Sequence, residues 1–300
     1  MADSFYFYGK GAVMSLLNKE KIINFVLKRR NEDGGYGFCP PYYGSEFPSS
    51  PSDTFYALAI LQMLGEKIPH PHKTQEYLLS LQNKDGSFSS IASAFYVVKS
   101  LEILGSKPRE LRFLNWLELC LKGKKPVSSE LVSDFLSAEY DASSSPYKHI
   151  YCAVEILKTF GRRIGVKEVE WILPEGKHGG FGAGAPDIIS TFYALSCLHA
   201  AGYPLRKLEK TKKFVEGCEH REGGFTSIPH ITPPYVEDTY FGVECAKLLE
   251  VKLKHPDRSE KFLLSCQNID GGFRRSLFQG ISTLDNTYFA LACLKAFGCL

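Results

Sequence analysis

The stretch QNIDGGFRRSLFQGISTLDNTYFALACLKAFG, residues 267–298, holds the end of one helix, a glycine turn, a loop and a second, apolar helix. Glycine readily takes the positive φ that ends a helix, so Asp270-Gly271-Gly272 marks the first stop. Asn286-Thr287-Tyr288-Phe289 opens the second helix, and Gly298 closes it. The same text occurs earlier: Gly223-Gly224-Phe225 precedes Asp238-Thr239-Tyr240-Phe241, 48 residues upstream (271 − 223). Cys218 and Cys266 keep that spacing, as do Cys245 and Cys293. A repeat of this length with helical periodicity inside it predicts an array of helical hairpins.

Working back along the chain, six such units can be read. The first pairs a helix over Lys19–Arg30 with SDTFYALAILQMLG, capped by Ser52 or Asp53. The second pairs KTQEYLLSLQNKDGSF with SAFYVVKSLEILG. The third is irregular: its glycine turn is replaced by an insertion at about 124–146, where Ser128–Tyr140 reads as an extra helix. YKHIYCAVEILKTFG follows as its apolar partner. Unit four pairs VKEVEWIL with STFYALSCLHAAG, and units five and six complete the series. The glycine-turn helices carry charge (Lys73, Glu76, Lys210, Arg258, Lys261), whereas their partners carry little. That asymmetry predicts two concentric rings, twelve main helices in all, with the charged helices outside. The expectation is a single all-α domain over residues 1–300, an α/α toroid of six hairpins. The stop of the chain soon after Gly298 favours closure over an open array.

Composition narrows the function. A formal net charge of +3, without a dense Lys/Arg block, argues against nucleic acid as a partner. The nine cysteines are scattered and contain no C-x-x-C pair, which suits buried thiols in a reducing compartment. No run of apolar residues approaches the length of a transmembrane segment, and the first residues do not form a signal peptide. A cytoplasmic protein is expected.

QNKDGSF (Gln82–Phe88) and QNIDGGF (Gln267–Phe273), with the D-T-Y-F and F-Y-A-L helix starts, resemble the repeat of one superfamily. It contains the β subunits of protein prenyltransferases and the class II terpene and squalene cyclases. The resemblance spans nearly the whole chain and is weakest in unit three. It implies an α/α toroid that binds an isoprenoid or isoprenyl diphosphate in an aromatic-lined central cavity. Tyr56, Tyr96, Tyr193, Tyr240, Phe241, Tyr288 and Phe289, with the aligned Tyr151, are then the candidate lining, although simple packing between inner helices is the competing account. Arg274 and Arg275, following the last glycine turn, are candidates for a diphosphate.

The resemblance also implies chemistry, and there the chain departs from it. Protein prenyltransferases hold a catalytic zinc through Asp and Cys of a D-x-C-Y motif and a later His. The matching positions are Asp238, Tyr240 and Asn286, so two of three ligands are missing and no metal ligand is expected. Class II cyclases instead protonate an alkene through the middle Asp of D-x-D-D-T. Glu237 and Asp285 stand at that position, beside Asp238 and Asn286, and the leading Asp is absent in both units. Asp238, Glu237 and Asp285 are the candidate catalytic carboxylates, and ordinary N-capping is the competing account. A helical-repeat partner subunit is implied by the transferases. Transfer of a prenyl chain, its cyclisation, and non-catalytic binding all stay open at this point.

Overall fold

The computed structural model describes residues 17–40, 47–121, 146–173, 179–182, 184–278 and 280–300. Eleven α-helices lie within them. Five are outer helices: α1 (Lys19–Leu27), α3 (Pro71–Ser80), α5 (Phe113–Leu121), α8 (Glu209–Cys218) and α10 (Pro256–Ser265). Six are inner helices: α2 (Pro51–Met63), α4 (Ile91–Ile103), α6 (Pro146–Thr159), α7 (Ile188–Ala200), α9 (Val236–Leu249) and α11 (Leu284–Ala296). The outer helices bury one stripe, as Ile22, Phe25 and Val26 do in α1. The inner helices are buried on several sides, as their near-uniform apolarity requires: α7 buries nine of its thirteen residues.

One hydrogen-bonded unit is repeated around the molecule. The turn acid folds back on its own backbone, with Asp33, Asp85 and Asp270 Oδ1 accepting from Gly35, Ser87 and Gly272 N–H. These acids are turn formers. The turn's aromatic residue then donates its N–H to the hydroxyl of a Thr in the first turn of the following inner helix. Tyr36 bonds Thr54, Phe181 bonds Thr191, Phe225 bonds Thr239 and Phe273 bonds Thr287, all at 2.9–3.0 Å. The Thr of the D-T-Y-F pattern is thus a structural latch between turn and inner helix. Glycine is required in the turn because the next outer helix crosses it. A Cβ on Gly223, at φ +103°, would sit 2.3 Å from the Arg258 carbonyl oxygen of α10.

Closure of the ring is visible in the packing order. Inner helices pack in the sequence α2–α4–α6–α7–α9–α11, and α11 packs back on α2. Each outer α-helix lies against its own inner partner. Gly271 of the last unit meets Lys21 of α1, which seals the outer layer in the same way. The toroid predicted from the repeat is the architecture found.

Two local expectations need amendment, and a third cannot be placed. Ser50, two residues before the predicted cap, is the N-cap of α2: its hydroxyl accepts from Asp53 N–H at 3.0 Å. VKEVEWIL does not form an α-helix. Val166–Glu168 is a 3₁₀ turn, and residues 170–173 form another. Val169 and Ile172 supply the buried contacts, and their spacing of three suits the 3₁₀ repeat. The run is short, bounded by Gly165 and Pro174, so it cannot extend into the i, i+4 bonding that would favour an α-helix. The extra helix expected over Ser128–Tyr140 lies outside the described residues.

Candidate functional site

Each inner helix sends aromatic side chains to the axis from its second turn. Phe55/Tyr56, Phe95/Tyr96, Phe192/Tyr193, Tyr240/Phe241 and Tyr288/Phe289 are adjacent pairs that straddle the axis-facing line, and α6 adds Tyr151. Ring contacts run from helix to helix and close on themselves. Tyr56 meets Tyr96 with ring centroids 5.8 Å apart, and Phe95 meets Tyr151 at 5.7 Å. The circuit continues through Tyr151–Tyr193 (5.0 Å), Tyr193–Phe241 (5.5 Å), Phe241–Phe289 (5.4 Å) and Phe289–Tyr56 (5.7 Å). Tyr240 stacks on Phe289 at 4.8 Å.

Tyr56, Tyr96, Tyr151, Tyr240 and Tyr288 are only partly buried, although they lie deep in the ring. Protein crowds them, and burial pushes each phenol pKa above its usual value. Surface that is accessible yet hemmed in on nearly all sides is the wall of a recess. Tyr56 and Tyr96 Oη lie 3.3 Å apart, and the Tyr240 and Tyr288 rings meet with centroids 5.8 Å apart. The ring faces are apolar, and the phenol hydroxyls between them are neutral.

At the N-terminal ends of the inner helices, four of the six carry a paired cap. Ser50 serves Asp53 and Ser90 serves Ser93. Asp187 serves Ser190, and Thr283 serves Asn286. In α9 the cap position is Tyr235, whose side chain caps nothing. Asp238, at the position of Asp53 and Asn286, therefore loses its partner: it is 2% exposed, and its Oδ2 has no hydrogen bond. Burial first, then the charge of Glu237, raise its pKa to about 7; Asp187 adds to this and Arg275 opposes it. Asp238 is thus a carboxyl group that holds its proton near neutrality.

The residues around it break the repeat together. Arg275 replaces Ser227 of the preceding unit; its carbonyl accepts Val236 N–H at 2.9 Å, as the Ser227 carbonyl accepts Ile188 N–H. The Arg275 guanidinium pairs with Glu237 and lies 4.3 Å above the Tyr235 ring. Two departures meet at this one helix start, Tyr235 in place of a capping side chain and Arg275 in place of Ser227, and both bear on the carboxylates beside them.

The structure brings some predicted residues together and separates others. Glu237, Tyr240, Phe241 and Glu244 share the axis-facing stripe of α9, whereas Asp238 is turned about 100° away from Glu237. Asp238 instead lies in the electrostatic reach of Asp187 and of Cys218. Asp285 sits at the corresponding place on α11, where its charge is felt by Tyr56 and Tyr96. It accepts from Thr283 Oγ1 and from Asn286 N–H. Arg274 parts company with Arg275: its Nη2 donates to Ser265 O at the end of outer helix α10. Of the two diphosphate candidates, only Arg275 joins this corner.

The residues present do not fit the zinc site of the resembling transferases. Tyr240 is packed on Phe289, and Asn286 offers a neutral amide already bound to Thr283. Zinc sites of that kind need thiolate and imidazole donors. Buried Cys245 and Cys293 have pKa values pushed up by burial, so neither is poised as a thiolate. Cys197 is buried and His199 exposed, on different faces of α7, and His178 lies outside the described residues. Among the described residues, no three His, Cys, Asp or Glu side chains are placed to hold a metal.

Sequence reasoning missed Tyr235 and the second row of aromatics, Phe55, Phe95 and Phe192. The signal for Tyr235 was available: Ser50, Ser90, Asp187 and Thr283 occupy its position elsewhere.

Comparison with known proteins agrees with this geometry. The model of the prenyltransferase alpha-alpha toroid domain matches residues 5–162 and 89–299. Among curated proteins no sequence matches the chain. Among solved structures, a protein geranylgeranyltransferase-I of Candida albicans, complexed with GGPP, superposes with a TM-score of 0.63. The identity is 15%, covering 81% of this chain and 83% of that one, so the likeness is one of fold.

Proposed function

From the premise that the chain belongs to the prenyltransferase alpha-alpha toroid family, we propose that it binds an isoprenoid or isoprenyl diphosphate in its axial recess and transfers or converts the prenyl chain. The observation that carries this reading is the closed circuit of aromatic rings whose tyrosines keep accessible surface inside the toroid. An apolar branched chain gains from a dry cleft, and aromatic faces stabilise positive charge that develops on a leaving or rearranging prenyl carbon. Arg275, at the recess's N-terminal end, supplies a cation for the diphosphate once its pairing with Glu237 is exchanged.

Transfer is preferred to acid-initiated cyclisation for a reason of hydrogen bonding. The axis-facing carboxylates are occupied as acceptors, Glu237 by Arg275, Glu244 by Lys247 and Asp285 by Thr283 and a backbone N–H. The carboxyl that retains a proton near neutrality, Asp238, is turned off the axis. A group positioned beside Glu237 in this way tunes the charge of the corner and is not itself placed to protonate a bound alkene. A helical-repeat partner subunit belongs to the same reading, as a supplier of acceptor-binding surface.

The test is calorimetric titration of the protein with geranylgeranyl diphosphate, followed by ³¹P NMR. Micromolar binding that weakens at least tenfold in Y240A/Y288A, with diphosphate released on addition of an acceptor, supports the proposal. Absence of binding to any isoprenyl diphosphate ends it. A cyclic product with its diphosphate still attached, formed without metal, would replace transfer with the cyclase mechanism.

A further inference from the structure

On α9 the residues that keep accessible surface between its buried faces are Glu237, Tyr240 and Glu244, which recur every three or four positions along the axis-facing stripe. The same spacing carries α4 from Tyr96 to Lys99, α6 from Tyr151 to Glu155 and α11 from Tyr288 to Ala292. One turn beyond the tyrosines, towards the C-terminal ends of the inner helices, the wall therefore changes character. Aromatic rings give way to Lys99, Glu155 and Glu244, each of whose side chains is 16–27% exposed.

These charges are held in place. Lys99 Nζ donates to Glu102 Oε2 at 2.9 Å and to Thr159 Oγ1 at 3.0 Å, and lies 4.0 Å from Glu155 Oε2 on the neighbouring helix. Glu155 also accepts from Lys158, and Glu244 from Lys247, both lysines reaching solvent at the far mouth. The layer adjoins the ring belt directly. The charge of Glu155 is felt by Tyr151, and that of Glu244 by Tyr240 and Tyr288.

A hydrocarbon tail gains from each methylene it buries against ring faces. On reaching this layer it would instead strip water from paired charges and gain nothing in return. The apolar part of the axis is thus bounded at both ends: Glu237 stands at the N-terminal mouth, where Arg275 lies, and Glu244 at the other limit. Seven residues of helix separate the two, a rise of about 10 Å, which houses about two extended isoprene units.

We infer that Lys99, Glu155 and Glu244 set the depth of the isoprenoid site, so that the protein selects a geranyl over a geranylgeranyl chain. This inference rests on the axial site proposed above and adds to it which substrates fit. It also runs against the general trend, because a recess without such a limit would bind the longer and more apolar chain more tightly.

The experiment is calorimetric titration of the full chain with geranyl, farnesyl and geranylgeranyl diphosphate, each kept below the concentration at which it forms micelles. Geranyl diphosphate should bind at least tenfold more tightly than geranylgeranyl diphosphate. K99A/E155A removes the ion pair as a unit and leaves Glu102 and Lys158 in solvent; it should shift that ratio at least tenfold towards the longer chain. E244A tests the opposite side of the axis in the same way, should the double variant fail to fold. A variant that merely loosens the toroid weakens all three ligands alike and leaves the ratio where it was. Geranylgeranyl diphosphate bound as tightly as geranyl diphosphate by the parent, or a ratio unmoved in the folded variants, overturns the inference while the axial site stands. Absence of binding at every chain length removes the axial site itself.

Discussion

The hydroxyl that Ser50 gives to Asp53 and that Ser190 gives to Asp187 has no counterpart at Asp238. Asp238 keeps the burial of its position without the bond that normally compensates it, and the cost appears as a raised pKa. The sign of its effect on stability follows. The folded state holds a proton up to about pH 7, whereas the ordinary carboxyl value is 3.8. Stability from this group is therefore complete below pH 4 and is lost as pH rises through 7. Asp238→Asn cannot ionise, so its melting temperature should match or trail the parent at pH 4 and exceed it at pH 8. The difference in stability should approach about 4 kcal/mol at most. Equal pH dependence of the two proteins would show that Asp238 is ionised in the fold. The latch residues behave in the opposite sense. Thr287→Val leaves the buried Phe273 N–H without an acceptor, and denaturant unfolding should show a loss of about 1–3 kcal/mol.

At the scale of the element, what could be read from residues was what repeats. The glycine turns, the apolar inner helices and the Tyr/Phe rows share a common spacing, so pattern alone located them. The exceptions lacked such support. Unit four's outer helix has too short a run between Gly165 and Pro174, and its buried spacing of three was hidden within an apolar word. Tyr235 was not legible because its signal is an absence, a cap position whose side chain caps nothing. α9 is irregular at its other end too. Gly65 and Gly202 end their helices at positive φ, but Glu250 takes that conformation in α9, with φ 56°. Glu250→Gly should relieve left-handed strain and stabilise the protein by about 1 kcal/mol, read from urea midpoints. Gly223→Ala should cost about 2 kcal/mol or more, because its Cβ meets the backbone of α10. A neutral result there would mean the turn is not clamped by the following helix.

For the whole molecule, closure joins the first unit to the last, so the array has no free end to fray. Hydrogen exchange should find amides of α2 and α11 as protected as those of α7 and α9; early exchange in the terminal units would describe an open array instead. Closure also creates the recess, since six inner helices can bring their aromatic rows to one axis only as a ring. No helix among the described residues is long and apolar enough to cross a membrane. The toroid was legible in the sequence apart from unit four's outer segment, and the pattern located one or both of the adjacent aromatics on five inner helices. Its chemistry was not, because it depends on which partner each carboxylate meets. The direct test of the central claim is photo-crosslinking with a benzophenone-bearing isoprenyl diphosphate, mapped by mass spectrometry. Adducts on the axial faces of the inner helices, around Tyr56, Tyr96, Tyr240 and Tyr288 and competed away by geranylgeranyl diphosphate, are the predicted result. Adducts confined to the outer helices, or insensitive to the competitor, would contradict an axial isoprenoid site.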